Sequence, residues 1–392
     1  MAEAARATRP PLWRDVRVLR VAGQVVFVLA VVILLRELYL NADFQLDRRG
    51  DDLSFDFLDQ RAGFEIKEGI SYSPNQSVRR AYTVGVVNAL TVALVGIVLA
   101  TILGLAVGVA RLSTNWLVRK ISQVYVEIIR NTPLLVQVVF WWAVVFLSIR
   151  TIDNSFSFGS LAFLSNRGMA IPALRHGSDF GTWMLFLLVG VVAAILVWRW
   201  RTRRHEATGQ PHYRVLFGLG VFVLIATVGY LLLGDAFYVE EPELQRFNYA
   251  GGLQMSPEFG GLLFALVIYT ATFIGEIVRG SILAVSKGQK EAAEALGLRP
   301  RQQLRFVVIP QALRIAVPPI NSQYLNLWKN TSLGFAIGYP EIINISGTII
   351  NQTGNELQVF TLFALTYLAV SLAISAVMNV VNRAVALKGE RR

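Results

Sequence analysis

Apolar residues along this chain fall into long runs separated by shorter charged segments. A helix that crosses a membrane needs about 20 predominantly apolar residues, and eight runs approach that length. They cover residues 18–38, 82–110, 132–149, 182–200, 215–233, 258–278, 319–339 and 359–381. The pattern predicts an all-α polytopic membrane protein with about eight transmembrane helices.

The distribution of Lys and Arg predicts the orientation, because cytoplasmic loops carry an excess of these residues. With both termini inside, the inner segments hold 25 Lys and Arg and the outer segments hold 10. We therefore predict cytoplasmic termini. We divide the chain into an N-terminal span with its outer loop (1–81) and a transmembrane domain (82–392). The outer segment 41–80 is long and acidic, and we expect a small ordered cap there.

Composition supports a membrane protein and excludes other classes. The chain is 54% hydrophobic and 16% charged, whereas soluble domains carry about 25% charged residues. In a soluble protein the net charge of +11 would favour nucleic acid. Here we assign it to cytoplasmic loops and predict no nucleic-acid partner. Because there is no cysteine and the three histidines lack metal-ligand spacing, we predict no metal site.

The N-terminus combines basic residues with an apolar run, as a signal peptide does. No small-residue cleavage site follows the run. We therefore predict that it is retained as the first span.

The cytoplasmic segment 281–318 differs from the other loops. Residues 287–296 are good helix formers, and Gly297 stands where a helix ends in a left-handed cap. Pro300 suits the first turn of a second short helix, and Pro310 is expected to end or bend it. The segment therefore predicts a short helix–turn–helix, a rigid element that suits docking on a cytosolic partner.

The residues of this loop form a spaced motif. It reads Glu291-Ala292-Ala293, three further residues, Gly297, nine further residues, and then Val307-Val308-Ile309-Pro310. This resembles the EAA loop of importer permeases of the ATP-binding-cassette (ABC) superfamily. The family pattern ends in Ile, any residue, Leu, Pro, so this chain departs from it by two conservative changes.

The resemblance implies a type I ABC importer permease core whose coupling helix sits in a cleft of an ATPase subunit. The residues it assigns to that contact are Glu291, Ala292, Ala293, Glu294, Ala295, Leu296 and Gly297. Segments 127–137, 269–279 and 325–333 are similar to polar amino-acid permeases. The extra spans and segment 57–64 resemble the larger permeases of general L-amino-acid and neutral amino-acid uptake systems.

The resemblance also implies the partners. ATP and Mg belong to the ATPase subunit, and this chain, which has no phosphate-binding Gly-x4-Gly-Lys-Ser/Thr loop, is expected to hold no cofactor and to be no enzyme. A second permease subunit, expected to be a paralogue, completes the pore. A periplasmic amino-acid-binding protein delivers an L-amino acid, and the location is the bacterial inner membrane.

Polar residues in the seventh run mark a possible substrate path, since polar groups inside a membrane are costly. The run holds Asn321, Ser322, Gln323, Asn326, Lys329, Asn330, Thr331 and Ser332. Ser322 and Asn326 share a helix face, and we assign Asn326, Lys329, Asn330, Thr331 and Ser332 to the path. The alternative is that these groups bond neighbouring helices.

Glu276 in the sixth run also has two interpretations. It faces a substrate ammonium group, or it pairs with Arg279 three residues later.

Two other functional classes include polytopic membrane proteins. An ion-gradient-driven secondary transporter needs buried acids in paired or repeat-related positions, and Glu276 alone qualifies. An intramembrane enzyme would need a catalytic constellation that the chain lacks. The sequence leaves the particular amino acids and the identity of the second permease open.

Overall fold

The computed structural model describes residues 16–49, 54–159, 161–208, 213–246 and 248–385. Helices dominate these residues. They are α1 Val16–Arg49, α2 Val78–Ala110, α3 Trp116–Asn131, α4 Leu134–Phe140, α5 Phe180–Thr208, α6 Arg214–Leu233, α7 Pro257–Ala284, α8 Lys287–Ala295, α9 Pro300–Gln303, α10 Ile309–Asn330, α11 Ile342–Thr353 and α12 Glu356–Val385. The strands are β1 Phe156–Phe158, β2 Ala162–Ser165, β3 Gly168–Ile171, β4 Ala173–His176, β5 Phe237–Glu240, β6 Glu243–Leu244, β7 Tyr249–Ala250 and β8 Leu253–Met255.

Six of the described helices are long and apolar enough to cross a membrane: α1, α2, α5, α6, α7 and α12. Two bent helix pairs raise the number to as many as eight. Each of the eight predicted runs overlaps one of these helices or pairs. The helical polytopic fold is therefore confirmed.

The third predicted run is not a straight helix. Between the second and third runs, where the charged residues indicate a loop, α3 occupies most of residues 111–130 and meets the helix 134–146 at 101°. Thr132 is extended, with φ −99° and ψ 128°, because the ring of Pro133 disfavours helical backbone at the preceding residue. The proline therefore sets the bend.

The structure around the seventh run also differs from the prediction, because Pro310 does not end a helix. It lies in the first turn of α10, where a missing N–H costs nothing, and the π-helical segment Leu304–Val308 joins α9 to α10. Beyond α10 the chain tightens into the 3-10 segment Thr331–Ile337, turns at Gly338 with φ 77°, and enters the unpredicted helix α11.

The prediction of an all-α chain missed the short strands. They form a four-stranded sheet in the order β1-β2-β3-β8 and two pairs, β4-β5 and β6-β7. The sheets join the loop before α5 to the loop after α6, so both loops lie at one end of the molecule. Strands of two to four residues leave no long apolar run in the sequence.

The central contact of the fold is between α2 and α7. The carbonyl oxygen of Gly275 approaches Gly108, and Ile274 packs against Gly104. Glycines four residues apart let two helix backbones come this close. Gly104 and Gly108, a GxxxG pair, therefore serve the packing of α2 against α7.

Hydrogen bonds identify the two ends of the bundle. At one end the N–H of Ser256, before α7, donates to the Glu68 carboxylate (3.4 Å). The Asn88 amide donates to the carbonyl oxygens of Glu68 and Pro340. At the opposite end Arg314, early in α10, donates to the carbonyl oxygen of Val385 at the end of α12 (3.0 Å). We call these the outer and inner ends, following the predicted orientation.

The segment 54–77 lies at the outer end. Phe57 and Ala62 are buried in the same apolar cluster as residues of α2 and α12. This part of the acidic loop is an ordered cap, as expected. The domain division at residue 81 stays a prediction.

Candidate functional site

The helix α8 has the bounds and the cap that the loop sequence predicts. The N–H of Gly297 donates to the carbonyl oxygen of Glu294 (2.8 Å), and that of Leu298 donates to Ala293 (3.1 Å). Gly297 has φ +73°, a conformation that glycine adopts without steric cost. Pro300 opens α9, as predicted.

The seven predicted docking residues lie together on α8 and its cap, and most face outward. Ala293 is 3% exposed and packs on the body of the protein, whereas Leu296 is 80% exposed. The other five are also exposed: Glu291, Ala292, Glu294, Ala295 and Gly297. Small side chains let a partner backbone approach closely, and Leu296 presents an exposed apolar side chain beside them.

Packing joins α8 firmly to two long helices. Val285, at the junction with α7, is buried against Val308 and Ala312 at the start of α10. The Gln311 amide donates to Gln289 of α8 (3.3 Å). The segment at α8 is therefore packed against the end of α7 and the start of α10.

Glu276 of α7 has two cationic partners near the inner end. Arg279 donates to it from the next turn (3.2 Å), and Arg111, which caps α2, also pairs with it. Of the two interpretations of Glu276, the structure shows the pair with Arg279. Arg111 and Glu276 are 165 positions apart in the sequence, so no local sequence pattern predicted their contact.

The helix α10 has a buried and an exposed side. Leu327 and Trp328 are fully buried, while Ser322, Asn326 and Lys329 are exposed. The three exposed residues lie on one stripe because they are four and three positions apart. Lys329 forms no ion pair with any described residue.

This polar stripe lies at mid-depth of the bundle. Leu327, next to Asn326, packs against Gly96 midway along α2, and Tyr324 bonds to Thr101 of α2 (2.8 Å). A hydrocarbon environment does not satisfy such groups. The stripe therefore needs water, a substrate or another protein chain against it.

The other residues predicted for the substrate path are buried or partly buried. Thr331 is buried and its hydroxyl donates to the carbonyl oxygen of Trp328 (2.8 Å). Ser332 donates to the carbonyl oxygen of Lys329 (2.8 Å), and Asn330 is partly buried. Glu276 bonds to α2 and α7 groups instead of joining the stripe. Ser322, one turn before Asn326, also lies on the exposed stripe, as its spacing predicts.

Among the described residues, no group of three or more His, Asp or Glu lies together as a metal site would require. The arrangement is a polar stripe at mid-depth, held by two helices that lead to an exposed lever at the inner end. Such an arrangement is typical of a membrane-embedded transport subunit.

Comparison with known proteins identifies the family. Residues 96–387 match the family described as "Binding-protein-dependent transport system inner membrane component". This chain belongs to that family.

Two relatives that align over most of their length are named as permease proteins of transport systems. The general L-amino acid transport system permease protein AapQ of Rhizobium johnstonii is 41% identical, over 88% of this chain and 87% of its own. The glutamate/glutamine/aspartate/asparagine transport system permease protein BztB of Rhodobacter capsulatus is 38% identical, over 95% of each chain. A solved structure described as an amino acid ABC transporter with histidines is 17% identical. It covers 78% of this chain and 94% of its own at a TM-score of 0.47.

Proposed function

We propose that this chain is the permease subunit of an ABC importer for L-amino acids. The observation that carries the proposal is the 41% identity, over 88% of the chain, to a relative named as a general L-amino acid permease. The exposed α8 loop supports it, because an importer without its own ATP site needs a surface on which a separate ATPase acts. ATP and Mg are assigned to that partner.

The proposed mechanism is a rigid-body transmission. Closure of the ATPase on ATP displaces α8, and the packing of Val285 against Val308 carries the motion into α7 and α10. Alternation between inward-open and outward-open states is one of the known ways in which packed helices respond to such a displacement.

The polar stripe of α10 is proposed as one wall of the substrate path. An amino acid is zwitterionic, so the Lys329 ammonium matches its carboxylate and the Asn326 amide replaces part of its hydration. Asn330, Thr331 and Ser332 are proposed to support this wall. A second permease subunit, proposed to be a paralogue, provides the opposite wall.

The remaining partners follow from the same proposal. A periplasmic binding protein delivers the amino acid at the outer end, the location is the bacterial inner membrane, and both termini are cytoplasmic. Amino acids with acidic or amide side chains are proposed within the range, since BztB is named for them.

The test of the energy source is uptake in proteoliposomes that contain the permease pair and the ATPase. With the binding protein outside and ATP inside, we expect accumulation of radiolabelled L-amino acids that an uncoupler does not reduce. Uptake that persists without ATP and collapses with the uncoupler would support a secondary transporter instead.

The test of the docking surface is Glu291→Arg. We expect the ATPase no longer to co-purify, because the substitution places a long cation in the docking surface. Glu356→Arg, an exposed glutamate at the outer end, is the matched control and should retain the ATPase. Normal assembly and uptake in Glu291→Arg would refute this role of α8.

The test of the path is Lys329→Met, which keeps length and removes the charge. A hydrogen bond to a charged group contributes about 1.5–3 kcal/mol, so we expect the KM for uptake to rise about tenfold or more. ATPase co-purification should not change. An unaltered KM would remove Lys329 from the path.

A further inference from the structure

The four-stranded sheet at the outer end has two unlike faces. Residues directly opposite each other in antiparallel strands point to the same face, and the faces alternate along each strand. One face carries Ser157, Phe163, Ala170 and Gln254, and the other carries Phe156, Phe158, Ala162, Leu164, Met169, Ile171, Leu253 and Met255.

The first face is covered by the protein itself. Ala170 is fully buried, in a small cluster with Ile152 and Tyr249. The ring of Phe163 stacks on that of Tyr249 with centroids 6.0 Å apart. This face therefore has a core of its own.

The second face, which we call the open face, consists of apolar residues, and several are exposed to solvent. Phe158 is 68% exposed, and Phe156, Met169 and Leu253 are also exposed. The guanidinium of Arg150 lies 4.4 Å from the centre of the Phe156 ring. Exposed aromatic and arginine side chains in one patch are typical of protein-binding sites.

Lipid does not explain the open face. Strand β1 is the edge of the sheet, and its free backbone groups have no hydrogen-bond partners in hydrocarbon, where open sheet edges do not occur. The sheet therefore lies in water beyond the outer end of α7. A contiguous apolar face in water marks a site for another protein.

The sheet is directly connected to the coupling helix. A single residue, Ser256, separates β8 from α7, and α7 leads into α8. Met255, on the open face, packs into the apolar cluster of Phe259 and Leu262 in α7. A protein bound to the open face therefore contacts a sheet that packs directly on α7, and α7 leads to the proposed ATPase contact on α8.

We propose that the open face is the docking surface for the importer's solute-binding protein. This inference rests on the proposed function, in which such a protein acts from the outer end. The direct connection through α7 favours this occupant, since delivery of substrate must be signalled to the ATPase. The chemistry predicts a partner with an apolar patch and a carboxylate near Arg150.

The first test is Phe158→Ser in the purified importer in nanodiscs. The probe is the importer's own solute-binding protein, loaded from an equimolar mixture of L-amino acids. We expect the concentration that half-maximally stimulates ATP hydrolysis to rise at least tenfold. Leu174→Ser, which alters a side chain of 69% exposure on the neighbouring pair β4-β5, should stay within twofold of wild type.

Co-purification of the ATPase with both variants verifies folding. A half-stimulating concentration equal to wild type in Phe158→Ser would overturn the inference. The absence of any stimulation in the wild type would instead contradict the proposed function, so the two failures are distinguishable.

The second test identifies the occupant directly. Because the chain has no cysteine, Phe158→Cys carries a single site for a thiol-linked photocrosslinker. We expect a crosslink to the solute-binding protein, and none from Leu174→Cys. A crosslink to the second permease subunit, or none from Phe158→Cys with the binding protein present, would overturn the inference.

Discussion

At the scale of single residues, backbone conformation and burial decide what a side chain does. Gly297 is needed for its left-handed φ. At Gly288, in the same segment, φ is ordinary and an added Cβ would meet no atom of the described residues within 4 Å. Two acidic residues, Glu276 and Glu68, likewise differ in the partners of their carboxylate groups. Glu276 is held by two arginines, and Glu68 is buried with one carboxylate oxygen lacking any partner among the described residues.

Gly297→Ala should weaken ATPase binding. A left-handed conformation costs a residue with a Cβ about 1–2 kcal/mol, which loosens the cap of α8. We expect the affinity of the ATPase for the detergent-purified permease, measured by microscale thermophoresis, to fall about fivefold or more. Gly288→Ala, the control, should bind normally. Equal affinities of the two variants would show that the cap is not required.

Glu68 should make stability depend on pH at the outer end. Burial and, to a smaller extent, the nearby Glu258 carboxylate raise the pKa of Glu68 from 4.5 to about 7, against the opposing bonds from Ser256. Because the pKa is higher in the folded state, the stabilisation by the bound proton is complete below pH 4.5. It is lost as the pH rises to about 7.

Glu68→Gln mimics the protonated carboxyl group and should remove this dependence. Between pH 5 and 8, the free energy of unfolding of the wild type should fall relative to the variant by up to about 3 kcal/mol. Thermal unfolding in detergent across that range measures it. Glu65→Gln, in an exposed residue of the same segment, should behave as wild type. Parallel pH profiles for wild type and Glu68→Gln would contradict the assignment.

At the scale of elements, close helix contacts and helix interruptions determine the shape of the core. The third span bends where Pro133 follows an extended residue, while Pro318 and Pro319 lie inside α10 without ending it. Further along α10, Leu327 and Trp328 are buried in the core. A proline in the sequence thus marks a weak point, and the folded chain shows whether the helix breaks there.

Gly104→Val should destabilise the contact between α2 and α7. A Cβ at position 104 would lie 2.7 Å from the Cβ of Ile274, and overpacking of this kind costs about 1–3 kcal/mol. We expect a lower midpoint of thermal unfolding in detergent. Gly280→Ala on α7 meets nothing within 4 Å and should retain the wild-type midpoint. If the unfolding midpoint of Gly104→Val equals that of the wild type, the close contact between α2 and α7 does not contribute to stability.

At the scale of the whole molecule, the important property is the separation of two ends. The sheets and the segment 54–77 lie at one end, and α8 lies at the other, with α7 running between them. The polar stripe of α10 lies between the ends. This separation fits the proposed function, in which one chain receives substrate on one side of a membrane and contacts the ATPase on the other.

Single cysteines should report the two ends on opposite sides of the membrane. In spheroplasts we expect a membrane-impermeant maleimide to label Leu174→Cys and to leave Leu296→Cys unlabelled until the membrane is permeabilised. Both positions are exposed, and the native chain has no cysteine. The reverse labelling pattern would contradict the predicted orientation.

The sequence alone determined the features that depend on neighbouring residues. The apolar runs predict the spans, because a membrane requires each helix to be apolar over its own length. The coupling helix and its glycine cap were predicted to within a residue, because good helix formers and Gly297 stand in order along the chain. The polar positions of α10 were visible for the same reason, although which of them face outward was not.

Only the tertiary structure decided the features that join distant residues. The bond between Arg111 and Glu276, the pairing of β3 with β8, and the burial of Ala293 against exposure of Leu296 depend on packing between separate elements. Helical and strand periodicity is set by each residue's neighbours, whereas the partner of a face is set by which surfaces meet when the chain folds. For this reason the eight apolar runs were readable from the sequence, while the open face of the outer sheet appeared only in the folded molecule.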